Sequence, residues 1–211
     1  MIYLDYAAHT PVDIKVLETF ADASKDYIAN PNSPHKEVTK DIADLFGVKE
    51  NEIIYTSGAT ESNNLAIKGI AGSYNRYGKH IITTYLEHSS VTGAVTYLKN
   101  QGYEVDFVPV LEDGQVDLEQ LKELIREDTI LVSVCYVDSE VGLKQPVEQI
   151  GEILKDYSHC YFHVDGTQAV GKIPVTLDNI DLMTFAPHKF FGMNGSGILI
   201  KKANVPLDPM I

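Results

Sequence analysis

Short apolar runs alternate with amphipathic ones along almost the whole chain, and this order limits the fold more than any other feature. Runs at 53–56, 80–84, 105–108, 130–134, 161–164, 182–185 and 197–200 are rich in branched and aromatic residues, as strands buried on both faces are. Between them, segments 13–28, 61–77, 91–100, 118–126 and 147–157 carry apolar residues at three- and four-residue spacing. Asp117 and Pro146 are start signals for two of these helices. The alternation predicts an α/β three-layer sandwich, with helices on both faces of a mostly parallel sheet of roughly seven strands. Ligands of such a sheet bind at the carboxyl ends of the strands.

With 211 residues and 44% hydrophobic content, the chain can bury one sizeable core. A formal charge of -13 argues against a nucleic-acid or anionic-membrane partner and leaves small molecules and proteins. No apolar run is long enough to span a bilayer, and the first five residues lack a signal peptide's basic start, so the expected location is the cytosol. Cys135 and Cys160 sit in strand-like runs and read as buried free thiols.

The candidate chemistry follows the strands. After 53–56 comes Ser57-Gly58-Ala59-Thr60-Glu61, a small-residue turn entering a helix, whose free N–H groups and Thr60 hydroxyl would cradle a phosphate. The bland alternative is a plain turn. After 80–84 comes Glu87-His88-Ser89-Ser90, placing an imidazole where it could stack on a planar ring or merely neighbour a helix cap. After 161–164, Asp165 emerges from a buried run and needs a cation or hydrogen-bond donors, such as a protonated ring nitrogen or the next helix's N–H groups. Gln168, three residues on, could reach an oxygen of the same ring. His159, His163 and Asp165 lack a second ligand cluster, so no metal site is assigned. After 182–185, Ala186-Pro187-His188-Lys189 places an amine in apolar surroundings beside a histidine, a setting that could lower its pKa and make it a nucleophile; the bland alternative is a solvated surface charge.

A phosphate cradle, a stacking imidazole, a carboxylate with a glutamine and a lysine form the kit that pyridoxal phosphate requires. The ordered motifs resemble the large domain of class V aminotransferases among fold-type-I pyridoxal-phosphate enzymes, and most closely that of cysteine desulfurases. They are Tyr3-Leu4-Asp5 with Ala7-Ala8 and Thr10-Pro11, Asn30-Pro31 with Ser33 and His35, Thr56 to Asn64, Glu87-His88, His163-Val164-Asp165 with Thr167-Gln168, and His188-Lys189 with Gly192. The resemblance implies that Lys189 holds the cofactor as a Schiff base and later moves the Cα proton. It implies that Asp165 pairs with the pyridine nitrogen, that Gln168 binds the ring hydroxyl, and that His88 stacks on the ring. Ala59, Thr60 and His188 are implied phosphate contacts, while Ser139 stands where the family usually has a side-chain amide facing cofactor and substrate. Ala186 likewise replaces a phosphate-binding serine, and the segment after His35 is shorter than in the family.

The activity implied is conversion of L-cysteine to L-alanine, with the sulfur left as an enzyme persulfide for a sulfur-acceptor protein. A homodimer is implied as well. Residues 1–30 would pack with a small domain, and 31–211 would bind the cofactor. The small domain, its substrate-gripping arginine and the sulfur-accepting cysteine fall outside this chain, and neither Cys135 nor Cys160 matches that cysteine's position. The competing readings are a selenocysteine lyase or another class V lyase or aminotransferase, and a non-catalytic truncated homologue serving as a binding or dimerisation module.

Overall fold

The structure, a computed structural model, describes residues 3, 5–26 and 36–210. The expectations at Leu4, at the Asn30, Pro31, Ser33 and His35 motif and at the 30/31 boundary lie outside the described residues.

Among the described residues, seven strands form one sheet: β1 (Ile53–Thr56), β2 (His80–Thr83), β3 (Glu104–Phe107), β4 (Thr129–Cys135), β5 (Tyr161–Asp165), β6 (Leu182–Phe185) and β7 (Gly197–Lys201). Their order is β1-β7-β6-β5-β4-β2-β3. The pairs β2–β3, β2–β4, β4–β5 and β5–β6 are parallel, while β7 lies antiparallel between β1 and β6. The mostly parallel sheet expected from the alternation is therefore present. Every residue of β2, β4, β5 and β6 is buried, which explains why these strands read as continuous apolar runs.

The helices are α1 (Ile14–Asp26), α2 (Lys36–Phe46), α3 (Ala59–Tyr74), α4 (Ser89–Asn100), α5 (Leu118–Leu124) and α6 (Val147–Leu154). Successive strand residues feed opposite faces. Ile81 and Leu131 join Ile67, Ile70 and Val95 in one cluster, and Ile82 and Val132 join Leu121, Ile150 and Leu154 in the other. The sheet thus separates α3 and α4 from α5 and α6, giving three layers.

Asp117 caps α5 by accepting the N–H groups of Glu119 and Gln120, as its start signal suggested. The sequence reading passed over α2, although Val38, Ile42 and Phe46 recur in it at four-residue spacing; Phe46 anchors it against Phe185, with ring centroids 5.1 Å apart. Helix α3 begins at Ala59 and not at Glu61, which brings its first turn onto the end of β1. No helix among the described residues is long and apolar enough to cross a membrane. Both cysteines are buried and unpaired.

Candidate active site

Five strand ends converge on one cavity of about 370 Å³. All eight residues singled out from the sequence line it: Ala59, Thr60, His88, Ser139, Asp165, Gln168, His188 and Lys189. Gly58 is the N-cap of α3, so the first-turn N–H groups of Ala59, Thr60 and Glu61 have no intrahelical acceptor and carry the positive end of the helix dipole. Glu61, in the same turn, folds its side chain back to accept the N–H and hydroxyl of Ser57 at 2.7 and 2.6 Å, so its carboxylate already has donors of its own. Those two bonds hold its carboxyl below the usual range.

The hydrogen-bond pattern around His88 fixes its ring. As N-cap of α4, His88 accepts the Ser90 N–H at Nδ1 over 3.2 Å, with the Ser90 hydroxyl 2.9 Å from the same nitrogen. A backbone N–H can only donate, so Nδ1 is the acceptor and the neutral ring carries its proton on Nε2. His88 thus caps α4 while lining the cavity.

Asp165 ends β5 with only 6% of its surface exposed. Its Oδ1 accepts the N–H of Thr167 at 3.0 Å, and its Oδ2 accepts the side-chain amide of Asn63 at 2.7 Å. Behind it, His163 is fully buried between the hydroxyls of Ser133 (2.8 Å) and Thr184 (3.1 Å), which occupy both ring nitrogens and leave none for a metal. Burial drives its pKa down to about 4, against the pull of Asp165.

Lys189 closes the one-turn 3-10 helix Pro187–Lys189 that follows β6. Desolvation lowers its pKa, opposed by the nearby carboxylates of Asp5 and Asp165. Its Nζ donates to the carbonyls of Ala7 at 2.8 Å and Ala8 at 2.7 Å. The segment bearing these carbonyls is pinned along the lysine turn by Thr10, which is buried: its hydroxyl donates to the His188 carbonyl at 2.9 Å and accepts the Phe191 N–H at 2.6 Å. Gln168 belongs to the same contact set. Its amide donates to the Ala7 carbonyl at 2.9 Å and its oxygen accepts from Lys172 at 2.6 Å, so in this state both ends are engaged by protein groups.

His188 lines the cavity with a buried Nδ1 that lacks a partner. Desolvation, then Lys189 and His9, lower its pKa. Ser139 sits on a turn after β4, held by Asp138, whose carboxylate accepts the N–H groups of Glu140 and Val141 at 3.2 and 2.6 Å. Ala186 is fully buried and does not line the cavity. Cys135 does line its floor, yet burial and the carboxyls of Glu87 and Asp165 push its thiol far above the usual range. A thiol so held is a poor nucleophile.

The Aminotransferase class-V family profile matches residues 2–210. The chain belongs to the class V aminotransferase family. It is 44% identical, over its full length, to the "NifS/IcsS protein homolog" of Lactobacillus delbrueckii subsp. bulgaricus, of which it covers 58%. Against the "Cysteine desulfurase IscS" of Dictyoglomus turgidum it is 40% identical, again over its full length, and covers 56% of that relative. Among solved structures, a "NIFS-LIKE PROTEIN" superposes with a TM-score of 0.94 at 38% identity, with the whole chain matching 61% of it. "SspA in complex with cysteine" follows at 0.92 and 35%, with the whole chain matching 65% of it. The chain thus spans a little over half the length of the curated relatives it matches, and its fold is that of the NifS-like large domain.

The residues present suit pyridoxal phosphate. A helix N-terminus and an unpartnered buried histidine nitrogen offer a place for a phosphate, and a half-buried amine and a buried carboxylate face the same space. The cavity's volume is of the size that small planar ligands fill.

Proposed function

We propose that this chain is the pyridoxal-phosphate domain of a cysteine desulfurase, acting on L-cysteine. The observation that carries the reading is the convergence of Lys189, Asp165 and the α3 N-terminus on one cavity. The names of the relatives and the cysteine in one structural neighbour support the substrate. When bound, the cofactor supplies an aldehyde that links to amines and a ring that withdraws electrons from the substrate Cα.

This chain's side chains then divide the work. Lys189 is the anchoring nucleophile, its lowered pKa making the free amine more accessible, and its Nζ takes the proton from the substrate Cα. To do so it must leave the carbonyls of Ala7 and Ala8. With the cofactor bound, Asp165 would pair with the protonated ring nitrogen and His88 would stack on the ring. The α3 N-terminus, Thr60 and His188 bind the phosphate. Ser139 would face substrate and cofactor, and Gln168, now bonded to the Ala7 carbonyl, would serve the ring hydroxyl. The substrate's sulfur passes to a thiol outside this chain, leaving alanine and a persulfide. Cys135 and Cys160 are excluded as that thiol by burial, which raises both pKa values.

The same reading gives a cytosolic homodimer that hands its sulfur to an acceptor protein. It also assigns residues 1–30 to packing against a small domain, which the exposed Ile14, Leu17 and Phe20 of α1 support. The test is optical and chemical. The protein mixed with pyridoxal phosphate should turn yellow, and borohydride should bleach the band and fix the cofactor's mass on Lys189. Lys189→Ala should keep the fold and lose the adduct; a wild-type protein that stays colourless would overturn the proposal.

A further inference from the structure

Asp165 and His88 sit on different strand ends, yet one side chain touches the bonding network of both. Asn63, on the second turn of α3, is fully buried. Its Nδ2 donates one hydrogen to Asp165 Oδ2 at 2.7 Å and the other to Ser90 Oγ at 2.9 Å. The Ser90 hydroxyl, having accepted from Asn63, has its own hydrogen left for His88 Nδ1 at 2.9 Å. The direction of every bond is set by chemistry. A reversed carboxamide would aim its oxygen at the Asp165 carboxylate, so Nδ2 must face it. Asn63 Oδ1 is meanwhile buried without a partner. An apolar residue would fill this seam between α3 and the sheet without stranding a buried acceptor, so packing alone does not account for Asn63.

We infer that Asn63 is a positioning residue that orients Asp165 and His88 as one unit, through a donor chain running from its carboxamide to the Asp165 carboxylate and, by way of Ser90, to the His88 ring. The inference rests on the pyridoxal-phosphate reading only in what the unit is for. Held this way, the carboxylate for the ring nitrogen and the imidazole for the ring face keep one mutual geometry, and neither rearranges when the ring arrives.

Two measurements test it. In ligand-free protein, the Asn63 carboxamide protons should exchange slowly with water in 15N spectra, and both Asp165→Asn and Ser90→Ala should shift that pair. Rapid exchange, or a pair indifferent to both changes, would overturn the chain of bonds. In titrations with pyridoxal phosphate, Asn63→Leu should raise the dissociation constant about tenfold to a hundredfold, the range expected for losing a buried hydrogen bond to a charged group. Ser90→Ala should raise it less, and should add nothing in the Asn63→Leu background. Independent, multiplying effects would overturn the inference, as would an Asn63→Leu protein that binds like wild type. Should Asn63→Leu fail to fold, Ser90→Ala still decides: it should move the pH titration of the visible band while leaving the melting temperature within a few degrees. A wild-type protein that binds no cofactor sinks the function proposed above, while the carboxamide spectrum still judges the bonds.

Discussion

The carboxyl of Glu87 accepts the backbone N–H of Cys135 at 2.9 Å, fastening the turn that carries His88 to the end of β4. The same oxygen takes the Thr84 hydroxyl at 2.7 Å, and the other, Oε2, is buried without a partner. A carboxylate with one bare oxygen in such a place is costly, and desolvation pushes the Glu87 pKa up to about 8 despite the two donors. Between pH 4.5 and about 8 the unfolded chain has lost this proton while the folded chain keeps it, so stability falls as pH rises. By pH 7 the loss should be on the order of 3 kcal/mol relative to acid conditions. Glu87→Gln keeps an acceptor for both donors and cannot ionise. Urea unfolding at pH 5 and pH 8 should show that this variant lacks the decline, and an unchanged pH slope would refute a neutral Glu87.

His163 works in the opposite sense. Its pKa, held down to about 4 by burial, lies below the ordinary 6.5, so between these values the unfolded chain binds a proton that the folded chain refuses. The stability that a neutral His163 contributes is complete above pH 6.5 and is lost as pH falls towards 4. The loss should amount to roughly 3 kcal/mol. His163→Gln offers one acceptor and one donor to Ser133 and Thr184 and has nothing to protonate. Its unfolding free energy should be flatter than wild type between pH 6.5 and 4.5; equal acid sensitivity in the two proteins would refute a histidine kept neutral by burial.

Much of this site was legible in the sequence because strand ends are where an α/β sheet puts its chemistry. The apolar runs at 80–84 and 182–185 located β2 and β6 closely, and His88, Asp165 and Lys189 follow from their places at or just beyond strand ends. The placing of β7 between β1 and β6 was not legible, since an apolar run states that it is buried and not which neighbours it pairs with. The same limit hid the relay. Asn63 and Asp165 are 102 residues apart, and only the sheet order and the packing of α3 on it bring them to 2.7 Å. Asn63 could be read as part of the Thr56 to Asn64 motif but not as a partner of the carboxylate. Thr10 was similarly noted only as part of a motif, and its bonds to the lysine turn span 178 and 181 residues.

The close approach of β7 to the turn that opens α3 depends on one missing side chain. A Cβ on Gly197 would lie 2.4 Å from the Gly58 carbonyl carbon and 2.6 Å from the Thr56 hydroxyl, and backbone on the first side cannot swing away. Thr56 also bonds Ser62 at 2.7 Å, so displacing it disturbs the first turn of α3. Gly197→Ala should therefore cost about 1–3 kcal/mol by overpacking and should weaken phosphate capture as the Ala59 and Thr60 N–H groups shift. Gly195 is the control two residues away. It has a φ of +90° and open space around it, so Gly195→Ala should cost roughly 1 kcal/mol through backbone strain alone. Urea midpoints and inorganic-phosphate titrations of the two variants separate the mechanisms. Gly197→Ala should lose both stability and phosphate affinity, whereas equal phosphate binding by wild type and Gly197→Ala would show that β7 does not set the geometry of the proposed phosphate site.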